Sequence, residues 1–246
     1  MRKRLDITEY TLRAPCERDF CAAVLSDLHG EAYGYILDAI RPFAPDVILI
    51  PGDVTHSHVS TPENCRQFFA DCTALCPVIY SFGNHENYSK DYVKTAAEET
   101  GVTVLDNGCA PFLGLTVGGL TSGFIHSKSR VTQGHFKETP APDTDFIRAF
   151  DRMNGYKILL SHHPEYYPKY LKDTSVDVIL SGHAHGGQWR IFGQPVFAPG
   201  QRFFPKYAQG IHDGRLIVSR GLANNGPAPR FFNHREIVII HFRKAH

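Results

Sequence analysis

Seven side chains able to bind a metal ion sit just past the ends of short apolar runs in this sequence. After CAAVLS come Asp27 and His29; after DVILI come Pro51, Gly52 and Asp53; after PVIYSF come Gly83, Asn84, His85 and Glu86. YKILLS leads into His162 and His163, and DVILS into Gly182, His183, Ala184 and His185. Taken singly, each has an ordinary explanation. An Asp after a strand suits a turn or a helix cap. A solitary histidine is commonly a satisfied core or surface residue, and Asn84 after Gly83 suits a turn at positive φ. Together, at five successive strand ends, they point to one site, because the carboxyl edge of an α/β sheet is where ligand crevices form. Asp27 with His29, and His183 with His185, are spaced two apart, which in extended chain turns both side chains the same way. Gly30, Gly52, Gly83, Gly182, Gly186 and Gly187 let the intervening loops approach that site closely.

The donor types narrow the chemistry. Carboxylates, imidazoles and one amide, with no thiolate, suit borderline divalent ions such as Mn, Fe, Co, Ni or Zn better than Mg or Ca, which prefer all-oxygen shells. Seven donors exceed what a single tetrahedral structural zinc accepts. They suit two ions that share a bridging carboxylate and keep positions open for water, which is a catalytic arrangement. His162 and His163 compete for one place, since successive residues at a strand end point to opposite sides.

Several elements must position these residues. The apolar runs at 21–26, 46–50, 77–82, 156–161 and 177–181 read as buried strands. Helical segments are expected over 33–40, 62–75 and 90–100, the last stopped by Gly101. Beyond Val102 the pattern turns hairpin-like, and the C-terminal third, with QWRIFG, GRLIVSR and REIVIIHF, reads as mostly β. Strand-helix units followed by strand-rich segments predict a layered α/β sandwich, two sheets face to face with helices outside. Nothing reads as a linker, so a single domain over 1–246 is expected.

Composition excludes little. The 42% hydrophobic and 21% charged residues are those of an ordinary globular chain. A formal net charge of +1 gives no large positive field, so no stable nucleic-acid partner is expected. The six cysteines form no paired CxxC pattern, and Cys65, Cys72 and Cys76 fall in one expected helix and its end, where thiols behave as small hydrophobes. Arg2, Lys3 and Arg4 precede LDITEYTL, which is neither a signal peptide nor a transmembrane segment. The expected location is the cytoplasm, with peripheral attachment to a membrane left open.

In SDLHG, PGDV, GNHE, SHHP and SGHAHGGQ the sequence resembles the calcineurin-like metallophosphoesterases, whose DxH, GD, GNH-plus-acid, lone His and GHxH signatures occur here in order. GQWRIFG and LIVSRGL resemble a bacterial branch of that family. The resemblance implies a four-layer αββα sandwich of two mixed sheets and a metal-dependent phosphoric ester hydrolase. Its substrate would be a phosphomonoester or phosphodiester, small or lipid-linked, attacked by a hydroxide bridging two divalent ions. Asp27, His29, Asp53 and His185 would hold one ion; Asp53, Asn84, His162 and His183 would hold the other, with His162 favoured over His163. His85 and the bridging Asp53 would be the catalytic residues, and Glu86, where many members have Asp, would orient His85 or else be a solvated charge at a helix start. The alternatives are a nuclease on the same metal site and a non-catalytic scaffold of the same fold, which would be expected to have lost some of these residues.

The remaining candidates lie outside these motifs. His56 and His58 are expected in a solvated loop. Arg130 and Arg220 are candidate guanidinium contacts to phosphate, although Arg130 reads as surface charge. Phe203, Phe204 and Tyr207, with Phe231 and Phe232, are aromatics beside basic residues. Packing is their expected use, an acyl chain or a membrane surface the other. Substrate choice is expected in loops such as 121–142 and 200–212.

Overall fold

The computed structural model describes residues 4–56, 62–123, 139–224 and 229–245. In chain order the first part runs β1 (Leu5–Ala14), β2 (Phe20–Val24), α1 (Gly34–Ile40), β3 (Val47–Ile50), α2 (Pro62–Thr73), β4 (Val78–Ser81), α3 (Lys90–Glu99) and β5 (Thr103–Leu105). The second part continues with β6 (Gly108–Phe112), β7 (Leu115–Leu120), α4 (Thr144–Asp151), β8 (Lys157–Ser161) and β9 (Val178–Ser181). Two small hairpins follow, β10 (Arg190–Ile191) with β11 (Gln194–Pro195) and β12 (Phe197–Ala198) with β13 (Arg202–Phe203). The chain closes with β14 (Gly210–His212), β15 (Leu216–Val218) and β16 (Arg235–Lys244).

One six-stranded sheet has the order β1-β16-β2-β3-β4-β5 and the other β14-β15-β9-β8-β7-β6. Both are mixed: β2 through β5 run parallel, as do β7, β8, β9 and β15, whereas β16 is antiparallel to β2 and β6 to β7. Alternation along each strand makes the layers. Val24, Leu49 and Ile79 of the first sheet pack with Val117, Leu160 and Leu180 of the second. Their neighbours Ala23, Ile48 and Tyr80 turn outward onto Ile36 and Leu37 of α1, Phe68 and Phe69 of α2 and Val93 of α3. On the far side of the second sheet, Leu159 and Ile179 meet Ile147 and Phe150 of α4 and Tyr167. The result is the expected αββα sandwich. Among the described residues no helix is long and apolar enough to cross a membrane.

The sequence reading gives no element for 5–14 or 144–151, yet β1 and α4 form there. β1 is an edge strand, half-buried with polar residues at alternate positions, and it takes its register from the β16 strand beside it. α4 is short, and its start is set by Asp143, whose carboxylate accepts from the N–H groups of Asp145 and Phe146. QWRIFG, in the third of the chain expected to be mostly β, opens a hairpin whose strands are two residues long.

At Gly119 of β7 the chain passes so close to its neighbours that a Cβ there would stand 2.4 Å from Leu105 Cβ and 2.7 Å from its carbonyl oxygen. Replacement of Gly119 by Ala is expected to destabilise the fold by about 1–3 kcal/mol through overpacking. Thermal unfolding followed by circular dichroism should show the melting temperature falling by several degrees; an unchanged melting temperature would mean that the strands part without cost.

Candidate metal centre

The parallel strands β2, β3 and β4 of one sheet and β8 and β9 of the other end at the same edge, and the loops there carry the predicted residues. Pairing continues past the strand ends: His29 N donates to Asp53 O at 3.0 Å and Gly30 N to Val54 O at 2.8 Å, which locks the first two loops in step. The side chains do not converge by strand alternation, as the two-apart spacing suggested. Asp27, His29, Asp53, His183 and His185 all have left-handed backbone, with φ of 56°, 49°, 54°, 63° and 46°. Each such residue costs about 1 kcal/mol or more, although Asp and His tolerate the region better than β-branched residues. Gly83 and Gly182 give the side chains room, since a Cβ would stand 2.1 Å from Asp53 Oδ1 at the first and 2.3 Å from Asp27 Oδ2 at the second.

Among the described residues the donors fall into four overlapping groups, Asp27–His29–His185, His29–Asp53–His85, Asp53–His162–His183 and His163–Glu165–His183. His29 Nε2 lies 3.3 Å from His185 Nε2, and His185 Nε2 lies 3.4 Å from Asp27 Oδ1. His162 Nε2 lies 3.0 Å from Asp53 Oδ2, with His183 in the same group. Asp53 joins them: its Oδ2 is also 3.8 Å from His29 Nε2 and 3.9 Å from His85 Nε2. Donors sharing an ion with bonds of about 2.0–2.2 Å stand roughly 3–3.5 Å apart, so these separations suit coordination. The atoms also lack other employment. His29 Nδ1, Asp53 Oδ2, Asn84 Oδ1 and His162 Nε2 are buried without a hydrogen bond of good geometry, a state costing about 1–3 kcal/mol per atom if nothing takes up the lone pairs.

Surrounding groups orient the donors. His162 Nδ1 faces the Pro51 carbonyl at 3.0 Å, which directs Nε2 to Asp53. His163 turns the other way, its Nδ1 3.2 Å from Glu165 Oε1, so the two adjacent histidines serve different neighbours. Glu86 is not a solvated charge at a helix start. It is fully buried, and its carboxylate accepts from the N–H groups of Gly83, Asp53 and Thr55, tying the third loop to the second.

Burial pushes the Asp27 carboxyl up, and Asp53 nearby adds to this. For Asp53 burial acts in the same sense, but His162, His85 and His29 hold it well below the usual range. Burial would lower the His162 imidazolium, yet the Asp53 and Asp27 charges carry it up to about 9. His29, pushed by burial to about 3, and His183 and His185, also held down by burial, are neutral imidazoles at pH 7. Neutral imidazoles beside buried carboxylates are what a divalent cation requires of its ligands.

Three neighbours of the site carry no motif. Glu165, buried, places Oε1 3.7 Å from His183 Nε2 and accepts from Thr139 Oγ1. Burial pushes its carboxyl up, but His183 and His163 hold it well below the usual range. Asn233 donates to the His185 carbonyl at 2.6 Å. Arg230 places Nη2 3.0 Å from His185 Nδ1, and among the described residues no carboxylate lies within ion-pair distance of it. A signal for Glu165 existed in its place two residues past His163; Arg230 and Asn233 had none, because only the fold brings residues so distant in sequence to His185.

Other candidates fare differently. His56 is not in a solvated loop: its ring centroid is 5.6 Å from that of His29 and 4.9 Å from that of His85. Arg220 is occupied by Asp6 at 3.0 Å and Glu236 at 3.2 Å, which leaves it a poor phosphate contact. His58 and Arg130 lie outside the described residues. Tyr207 is packed, whereas Phe203, Phe204, Phe231 and Phe232 are exposed and so lie outside the core.

Glu165→Gln removes the charge that faces His183 and His163 without changing size. Affinity for a divalent ion should fall by about 10–100-fold, the usual effect of losing such a carboxylate. Chelator competition measures this, with circular dichroism verifying the fold; unaltered affinity would remove Glu165 from any orienting role.

Residues 22–187 match the family model described as calcineurin-like phosphoesterase. The chain is 27% identical to an uncharacterized metallophosphoesterase of Campylobacter jejuni, over 88% of this chain and 56% of that protein, and so spans little more than half the relative's length. It is 27% identical to the uncharacterized metallophosphoesterase YkuE of Bacillus subtilis, over 96% of this chain and 85% of that protein. With the phosphodiesterase YaeI of Escherichia coli it shares 25% identity over 81% of this chain and 74% of that protein. Because the match runs across all five strand ends and the buried Asp and His side chains they carry, the chain belongs to the calcineurin-like phosphoesterases, a family of metal-dependent hydrolases.

Proposed function

We propose that this chain hydrolyses a phosphomonoester or phosphodiester at two divalent metal ions. Asp27, His29, Asp53 and His185 would hold one, and Asp53, Asn84, His162 and His183 the other. The observation that supports this reading is that one buried carboxylate oxygen, Asp53 Oδ2, stands between a histidine of each set, 3.8 Å from His29 Nε2 and 3.0 Å from His162 Nε2. Such a pair of ions, when bound, lowers the pKa of water from roughly 15.7 towards neutrality and withdraws charge from phosphoryl oxygens. Mn, Fe, Co, Ni and Zn suit the mixed oxygen and nitrogen donors.

The chain's own residues supply the rest. His85 begins a short turn after Asn84, held there by its N–H donating to Asp53 Oδ1 at 2.9 Å, and its mostly buried side chain keeps 13% of its surface exposed. From that place it donates a proton to the leaving oxygen of the ester. Arg230, beside the site and, among the described residues, without a carboxylate partner, is the guanidinium that donates to a phosphoryl oxygen, in place of Arg220. Because YaeI bears the name phosphodiesterase, a diester belongs among the first substrates tried.

Metal-free protein reloaded in turn with Mn, Zn, Ni or Mg and offered p-nitrophenyl phosphate and its bis-ester tests the reading; absence of turnover with every ion would overturn it. His85→Ala should retain its metal content by elemental analysis while kcat falls by about 10²–10⁴-fold, and metal loss in that variant would contradict the assignment. Arg230→Ala should lower kcat/KM by about 10–100-fold, the loss of one charge-assisted contact. Steady-state kinetics that leave kcat/KM unchanged would show that the guanidinium does not meet the substrate.

A further inference from the structure

Every exposed phenylalanine among the described residues lies in one region. Phe192, Phe203, Phe204, Phe231 and Phe232 are between 59% and 101% exposed, and Trp189 beside them is 43% exposed. They occupy a connected surface. Phe204 N donates to Val196 O, Val196 N to Trp189 O and Arg190 N to Phe231 O, which joins the two small hairpins to the segment before β16. That surface grows out of the candidate metal centre: Trp189 follows His185 by four residues, and Asn233, next to Phe232, donates to the His185 and Gln188 carbonyls.

Neither packing nor backbone preference accounts for these rings. Phe192, Phe204 and Phe232 have φ of 49°, 54° and 51°. A bulky aromatic is an outlier in that left-handed region, where Gly or Asn would sit with less strain. Strained, exposed aromatics in one patch indicate a partner outside the fold.

Charge identifies the partner. Between positions 188 and 212, the stretch that carries Trp189 and the hairpin rings, the sequence has three Arg or Lys and no acid, in a chain whose formal net charge is only +1. Arg190 and Arg202 belong to the same hairpins as the rings, and Lys206 follows closely. A second copy docked by a two-fold axis would bring these cations against their own kind. An anionic bilayer suits both features at once, since aromatic rings settle at the headgroup level and Arg and Lys meet lipid phosphates.

We propose that this face docks onto the surface of a bilayer containing anionic phospholipid, with Phe192, Phe204 and Phe232 entering the headgroup layer. The docking is independent of whether the site hydrolyses a phosphate ester. Co-sedimentation with vesicles of phosphatidylcholine, with and without phosphatidylglycerol, tests it. The protein should pellet with the phosphatidylglycerol vesicles and be released as salt is raised. In the triple variant F192N/F204N/F232N, Asn accepts the left-handed backbone, so the melting temperature should be no lower than that of the parent. Its vesicle affinity should drop by about tenfold or more, while its rate on p-nitrophenyl phosphate stays unchanged. The proposal is overturned if the parent protein ignores both kinds of vesicle, or if the variant binds as well as the parent. It is equally overturned if sedimentation velocity shows the patch only holding two copies together. Vesicle binding by a protein that turns over no ester would refute the hydrolase reading alone.

Discussion

Side chains from five strands can meet at one point only if the backbone turns sharply at each strand end, and here the turn is left-handed at five of the seven predicted donors. This constraint shapes everything around it. Left-handed Asp and His residues are uphill for an isolated loop, so they persist where the surroundings leave no alternative. The surroundings are the two parallel edges, the continued pairing of the β2 and β3 loops, and glycines through whose missing side chains the carboxylates pass. The inter-sheet core of Val, Leu and Ile side chains holds those edges opposite each other, so the most apolar part of the molecule fixes the position of its most polar part.

Electrostatics imposes a second demand. Asp27, Asp53 and Glu86 are all fully buried within one neighbourhood, and like charges taken out of water oppose folding. The protein divides the work among them. Glu86 is satisfied by three backbone N–H groups, Asp27 by Ser26 and the His183 N–H, and Asp53 is left with one oxygen facing imidazoles. Glu86 is thus committed to holding loops, while Asp27 and Asp53 each also turn an oxygen toward the imidazoles.

Much of this was legible in the sequence, because the apolar runs and the polar residues after them are local signals. Five strands, three helices and the identity of the clustered donors follow from short stretches of chain. The mode of convergence was not legible: spacing of two suggested strand alternation, and the actual turns depend on contacts between loops. Glu86 read as an exposed charge or a histidine's partner, since nothing local shows that Asp53 and Thr55 would donate to it. His56, Arg230 and Asn233 were misplaced or missed for the same reason. Edge strand β1 and the short α4 escaped because one leans on a partner more than two hundred residues away and the other on a single capping Asp.

The place of β16 has a consequence for how the molecule is made. The last of the described strands is not an edge but an inner strand, inserted between β1 and β2 and pairing with both. During synthesis β1 and β2 must therefore wait, separated by an unfilled gap, until residues Arg235–Lys244 have emerged. Such late, long-range closure slows folding and exposes strand edges in the meantime. Arg230 and Asn233, which reach His185, arrive with that same strand, so the polypeptide acquires its complete site and its complete sheet in one closing event.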